Sequence, residues 1–244
     1  MQHEYFGMKL NFQLILICIL MQSIAGAQDI IRPDNRGNER FEYFAFYLHG
    51  GVVTNLGDNA INQSAPEWGP YQYSGILDTL RAHKLKVISE RRLPNIDDSI
   101  YVKKIAGQAD SLLKHGIPAG NIILIGASAG SSIVLNVAAR IKNKDLLFVI
   151  MGGCWPEDYK GYSDKELYGN FLSIIEASDP HGTCSAIFKE REHIESFHEI
   201  KLKNGLSHGF ICKPYACWLE PVLQWFQIYA TGYEARSATP VNGY

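Results

Sequence analysis

Apolar runs of strand length alternate with helix-length amphipathic segments, which predicts an α/β protein. The expected architecture is a three-layer sandwich, a mostly parallel sheet of about six strands with helices on both faces. Two further observations support that class. The runs at 122–125 and 146–151 are short and apolar throughout, as strands covered on both faces are. No internal repeat or second composition breaks the alternation, so 244 residues with 46% hydrophobic content suit a single core.

The N-terminus stands apart from this pattern. Lys9 precedes the apolar run 14–21, Ala25-Gly26-Ala27 has the small-residue spacing of a cleavage site, and polar Gln28-Asp29 follows. Residues 1–27 therefore predict a secretory signal peptide, too short for a comfortable membrane span, with an uncleaved anchor as the rival reading. Met8, directly before Lys9, offers a second possible start. Residues 28–40 read as a loose leader, 41–230 as the folded domain and 231–244 as a flexible tail.

Export would put the mature chain in the periplasm or outside the cell, where cysteines can bond. Cys154, Cys184, Cys212 and Cys217 remain after cleavage. Cys154 with Cys184 is the favoured pair, because both follow strands at the same sheet edge; four small buried thiols are the alternative.

Within the domain, residues 41–48 predict a strand ending at His49-Gly50-Gly51. Residues 52–73, rich in Asn, Gly and Pro and without periodicity, predict a long loop. Ile76, Leu77 and Leu80 carry a short helix, and 85–89 a strand that runs into Glu90-Arg91-Arg92. Val102, Ile105, Ala106, Ala109, Leu112 and Leu113 recur at helical spacing until Gly116 and Pro118 stop them. Strands at 122–125, 146–151, 171–175 and 197–202 follow, with a helix at 133–139 and a last one carrying Trp218, Leu219, Val222, Leu223, Trp225 and Phe226. Reactive groups should gather where loops leave the carboxyl ends of these strands.

Gly126-Ala127-Ser128-Ala129-Gly130 joins a strand to a helix, the setting of a nucleophile elbow. The bend is so sharp that side chains two before and two after the serine would collide with neighbouring backbone, hence the glycines. A serine hydroxyl at neutral pH needs a base. His208 lies just beyond the last strand, at the same sheet edge as Ser128, and is the candidate. His193 and His198 flank that strand's start, and His181 sits in a loop. The base in turn needs an acid to hold its tautomer. Glu176, Asp179 and Glu157-Asp158 are the candidates near strand ends; Asp179, a few residues past the penultimate strand, is preferred, with Glu176 as the fallback.

Nucleophile, acid and base in the order Ser, Asp, His, with the elbow, resemble the α/β-hydrolase family, from Phe41 to about Tyr229. The chain is similar to its small lidless members, dienelactone hydrolase-like proteins and minimal carboxylesterases. It starts at the strand that carries the oxyanion loop, without the family's first strands, and the interval from Met151 to Phe171 is too short for a helical cap. The resemblance implies two oxyanion donors: the N–H of Ala129, and that of Gly51 or Val52, Gly51 preferred, since His49-Gly50-Gly51 matches the start of an HGG-type motif.

Smaller expectations complete the site. Arg91 or Arg92 could hold a substrate carboxylate. Trp155, with Trp68 and Tyr71, could wall a pocket, and Ser131 and Ser132 read as polar fillers of the elbow helix. A net charge of −2 leaves no electrostatic footprint for nucleic acid or an anionic membrane. The sequence calls for no cofactor and no metal. The expected protein is a secreted or periplasmic serine hydrolase, a carboxylic ester hydrolase taking a small-molecule or glycan-borne ester. A peptidase or amidase, or a binding protein with a vestigial site, are the alternatives.

Overall fold

The computed structural model describes residues 42–231. The expected signal peptide (1–27), leader (28–40), Phe41 and residues 232–244 of the expected tail lie outside them. The strands are β1 (Phe44–Leu48), β2 (Lys86–Ile88), β3 (Ile122–Ala127), β4 (Leu147–Met151), β5 (Gly169–Glu176) and β6 (Ile194–Leu202). The helices are α1 (Gly51–Leu56), α2 (Tyr73–Ala82), α3 (Asp98–Lys114), α4 (Ala129–Ile141), α5 (Tyr159–Ser163), α6 (Ser185–Phe188) and α7 (Ala216–Thr231).

The six strands form one sheet in the order β2-β1-β3-β4-β5-β6, and every pairing is parallel. Strand residues alternate between faces. Phe44, Phe46, Leu48, Ile122, Leu124, Phe148, Ile150 and Phe171 share a buried cluster with Tyr101, Ile105 and Ala109 of α3 and Ile133, Val134 and Val137 of α4. The other parity, including Tyr47, Ile123, Ile125 and Val149, faces the second helical layer. There α2 and α7 bury Ile76, Leu80, Trp218, Val222 and Phe226. That is the expected three-layer sandwich.

Strand ends differ from expectation by one to three residues: β1, β2 and β4 are shorter than expected, and β3, β5 and β6 are longer. The larger difference is at 52–73, expected as one loop. It holds α1, a 3-10 turn at Pro66–Trp68 and an antiparallel bridge between Ile61 and Pro70. Gly51-Val52-Val53-Thr54 is a weak helix former, so tertiary placement, with Val53 fully buried, stabilises α1.

Cys154 and Cys184 are disulfide-bonded, as expected, and the bond ties the β4–α5 connection to the β5–α6 connection. Cys212 is buried and Cys217 half-buried, both as free thiols. Between β4 and β5 lie only a 3-10 turn at Pro156–Asp158 and the short α5, so no cap is inserted there. Among the described residues no helix is long and apolar enough to cross a membrane.

Candidate active site

The bend between β3 and α4 is as tight as its glycines imply. A Cβ on Gly126 would lie 2.7 Å from Gly130 O, and one on Gly130 would lie 2.0 Å from Leu48 O. Ser128 takes φ 51° and ψ −121°, a strained conformation for a residue with a side chain. Its N–H donates to Met151 O at 2.8 Å, fixing the bend over the carboxyl ends of β3 and β4. Ser131, expected as a filler, is fully buried, and its hydroxyl donates to Gly126 O at 2.9 Å, closing the turn from inside. Ser132 donates to Ala129 O and does fit the filler role.

The three side chains singled out from sequence are brought together. Ser128 Oγ lies 3.0 Å from His208 Nε2, and His208 Nδ1 lies 2.7 Å from Asp179 Oδ2. His208 stands in a 3-10 turn, Ser207–Ile211, after β6, and Asp179 follows β5. The Asp179 carboxylate is nearly buried, and its other oxygen accepts the His181 N–H at 3.1 Å. A carboxylate can only accept, so the imidazole hydrogen belongs on Nδ1. Nε2 is then left to accept from the serine hydroxyl.

Glu176, the alternative acid, serves elsewhere. Its carboxylate accepts N–H groups of Ser178 at 2.6 Å, Asn204 at 3.2 Å and Gly205 at 3.1 Å. It thereby joins the loop that carries Asp179 to the loop that carries His208. Burial alone would raise its pKa, but these hydrogen bonds outweigh burial and hold the carboxyl below its ordinary range. Glu157 is exposed in its 3-10 turn.

His49 is fully buried beside the elbow. Its Nε2 accepts the Arg92 N–H at 3.0 Å, its Nδ1 lies 2.9 Å from Gly50 O, and Arg92 Nη2 donates to His49 O at 2.5 Å. Burial, and then the Arg92 charge, push the imidazole pKa from 6.5 down to about 4. A lowered folded-state pKa means the unfolded chain binds more protons between those values. The contribution to stability is therefore complete above pH ~6.5 and is lost as pH falls toward ~4, on the order of 3 kcal/mol. Thermal midpoints measured across that range should fall with acid, and His49→Asn should flatten the slope.

No protein-family model and no curated protein matches the sequence. Solved structures do match. Esterase B from Lactobacillus rhamnosis, in its structure with a C4-C4 SN3 tributyrin phosphonate, has TM-score 0.56 at 13% identity, over 82% of this chain and 80% of that one. Its C6-C4 SN3 inhibited form has TM-score 0.53 at 13% identity, over 83% and 82%. Arabidopsis thaliana SOBER1 matches with TM-score 0.46 at 13% identity, over 78% and 99%. The chain has the α/β-hydrolase fold.

On this α/β-hydrolase frame, Gly51 and Ala129 are the first residues of α1 and α4, whose leading N–H groups have no acceptor within their own helices. The loop before α1 sits against the elbow, since a Cβ on Gly50 would lie 3.3 Å from Ser128 Cβ. The Gly50 N–H is already taken by Tyr71 OH at 3.3 Å, and Tyr71 OH bonds Tyr47 OH at 2.9 Å. Tyr71, expected as a pocket wall, is thus a buried brace of this loop.

The substrate role expected of Arg91 or Arg92 gives way to structural ones. Arg92 is buried against His49, and Arg91 Nε donates to Val53 O at 3.2 Å with its guanidinium against Gly57. The other aromatic rings lie near His208. Trp68 lies 5.4 Å from the His208 ring, His181 lies 4.7 Å from it, and Trp155 lies 5.0 Å from His181. Trp155 thus reaches His208 only through His181. Donor atoms of Asp179, His181 and His208 lie within 4.8 Å of one another, and a cation held by all three would compete with the Asp179–His208 hydrogen bond.

Sequence reasoning missed Gly152 and His181. A Cβ on Gly152 would lie 3.1 Å from His208 Cε1 and 3.3 Å from Asp179 Oδ2. The glycine pair after β4 was the one available signal for that contact.

Proposed function

We propose that the protein is an exported serine hydrolase acting on carboxylic esters, small or borne on a glycan. The observation that carries this reading is the hydrogen-bonded run Ser128 Oγ–His208 Nε2 at 3.0 Å and His208 Nδ1–Asp179 Oδ2 at 2.7 Å, set on a strained bend at the carboxyl edge of the sheet. Nε2 of His208 takes the Ser128 proton as Oγ attacks the ester carbonyl. Asp179 stabilises the imidazolium that results. The N–H groups of Gly51 and Ala129 receive the oxyanion, His208 then protonates the departing alkoxide, and water releases the acyl group by the same steps. Export is supported by the signal-like N-terminus and by the Cys154–Cys184 bond, which suits an oxidising compartment.

The test is pre-steady-state hydrolysis of short-chain p-nitrophenyl esters. An acyl-enzyme requires a burst of nitrophenol approaching the enzyme concentration, followed by slower turnover wherever deacylation limits. Failure to cleave these esters and a broad panel of natural esters would end the esterase reading.

A further inference from the structure

The role of His49 is not explained by attack, protonation or acid support, for it touches neither Ser128 nor His208 in the hydrogen-bond network. Its surroundings fix its tautomer. The Arg92 backbone N–H can only donate, so Nε2 accepts and the ring hydrogen sits on Nδ1. Nδ1–H therefore donates to Gly50 O at 2.9 Å. In a trans peptide the carbonyl and the following N–H point in opposite directions. Drawing Gly50 O toward the ring thus points the Gly51 N–H the opposite way within that peptide plane, away from the ring, in a loop whose Gly50 abuts Ser128. The peptide before it is held separately, its carbonyl by Arg92 and its N–H by Tyr71.

We infer that His49 is a positioning residue that sets the Gly51 peptide as an oxyanion donor, through a single hydrogen bond from Nδ1 to Gly50 O. The inference rests on the hydrolase reading. The effect of His49 falls mainly on the transition state, because a ground-state ester carbonyl draws weakly on the donor.

Two substitutions separate this role from simple packing. His49→Asn keeps an N–H near the Nδ1 position and gives up the acceptor for Arg92. His49→Gln reaches toward Arg92 and gives up the donor to Gly50. Steady-state kinetics on a p-nitrophenyl ester, with a thermal midpoint for each variant, should show kcat reduced ~100-fold in the glutamine variant with KM within ~threefold. The asparagine variant should recover most of that loss, to within ~tenfold of wild type. Should the glutamine chain not fold, His49→Ala reads the same loss. Equal losses in both variants, a change confined to KM, or a glutamine variant with native kcat overturns the inference while the hydrolase reading stands. A wild-type chain that cleaves no ester, or a Ser128→Ala chain that cleaves as fast, ends the hydrolase reading and this inference with it.

Discussion

Ser128→Ala is expected to lower kcat by roughly four to six orders of magnitude, the scale on which removal of a serine nucleophile acts elsewhere. Residual hydrolysis would come from binding and oxyanion donors alone. Stability should hardly change, since alanine inherits the same φ of 51° and the hydroxyl's one side-chain partner is His208. Ser128→Gly should be equally inactive yet more stable than the alanine variant by about 1 kcal/mol, because glycine adopts this backbone without its steric cost. Ester kinetics and thermal unfolding of the pair read both effects. A glycine variant less stable than the alanine variant would mean the bend stores no strain.

Gly130→Ala should be the most damaging single methyl in the fold. The added Cβ would lie 2.0 Å from Leu48 O and 2.6 Å from Leu48 C, both backbone atoms of β1, which is paired with β3 through Leu48. No rotamer change relieves such a contact. Either α4 lifts away from β1, separating Ser128 from the Gly50–Gly51 loop, or the chain fails to fold. Alanine's better helix propensity, about 1 kcal/mol, is too small to offset an overpacking cost that reaches roughly 3 kcal/mol or more. Gly107 in the exposed middle of α3 is the control, for a Cβ there meets nothing within 4 Å. Gly107→Ala should stabilise by about 1 kcal/mol. Denaturant unfolding of the two variants should therefore move in opposite directions.

Much of the fold was readable because its signals are local. Buried parallel strands are continuous apolar runs, and the elbow needs glycines at fixed offsets from its serine. Asp179 and His208 could be placed because each follows a strand, and all loops after parallel strands leave the same edge. Cys154 and Cys184 were paired by the same logic. What escaped depends on partners far apart in sequence. The His49–Arg92 and Gly50–Tyr71 contacts span 43 and 21 residues, and no periodicity announces them. Arginine beside a strand end looked like a substrate clamp, whereas Arg92 is buried against His49 and braces the loop before α1. Tyr71 was misjudged for the same reason. The α1 helix escaped differently: its β-branched residues argue against a helix that tertiary packing stabilises anyway.

The most direct measurement is intact-protein mass after exposure to a fluorophosphonate, followed by peptide mapping. A reactive hydroxyl held by His208 predicts a single adduct on the peptide that contains Ser128, absent from Ser128→Ala and formed far more slowly in His208→Ala. A folded wild-type chain that takes no adduct, or takes it on a different serine, would contradict the assignment of that side chain as the nucleophile.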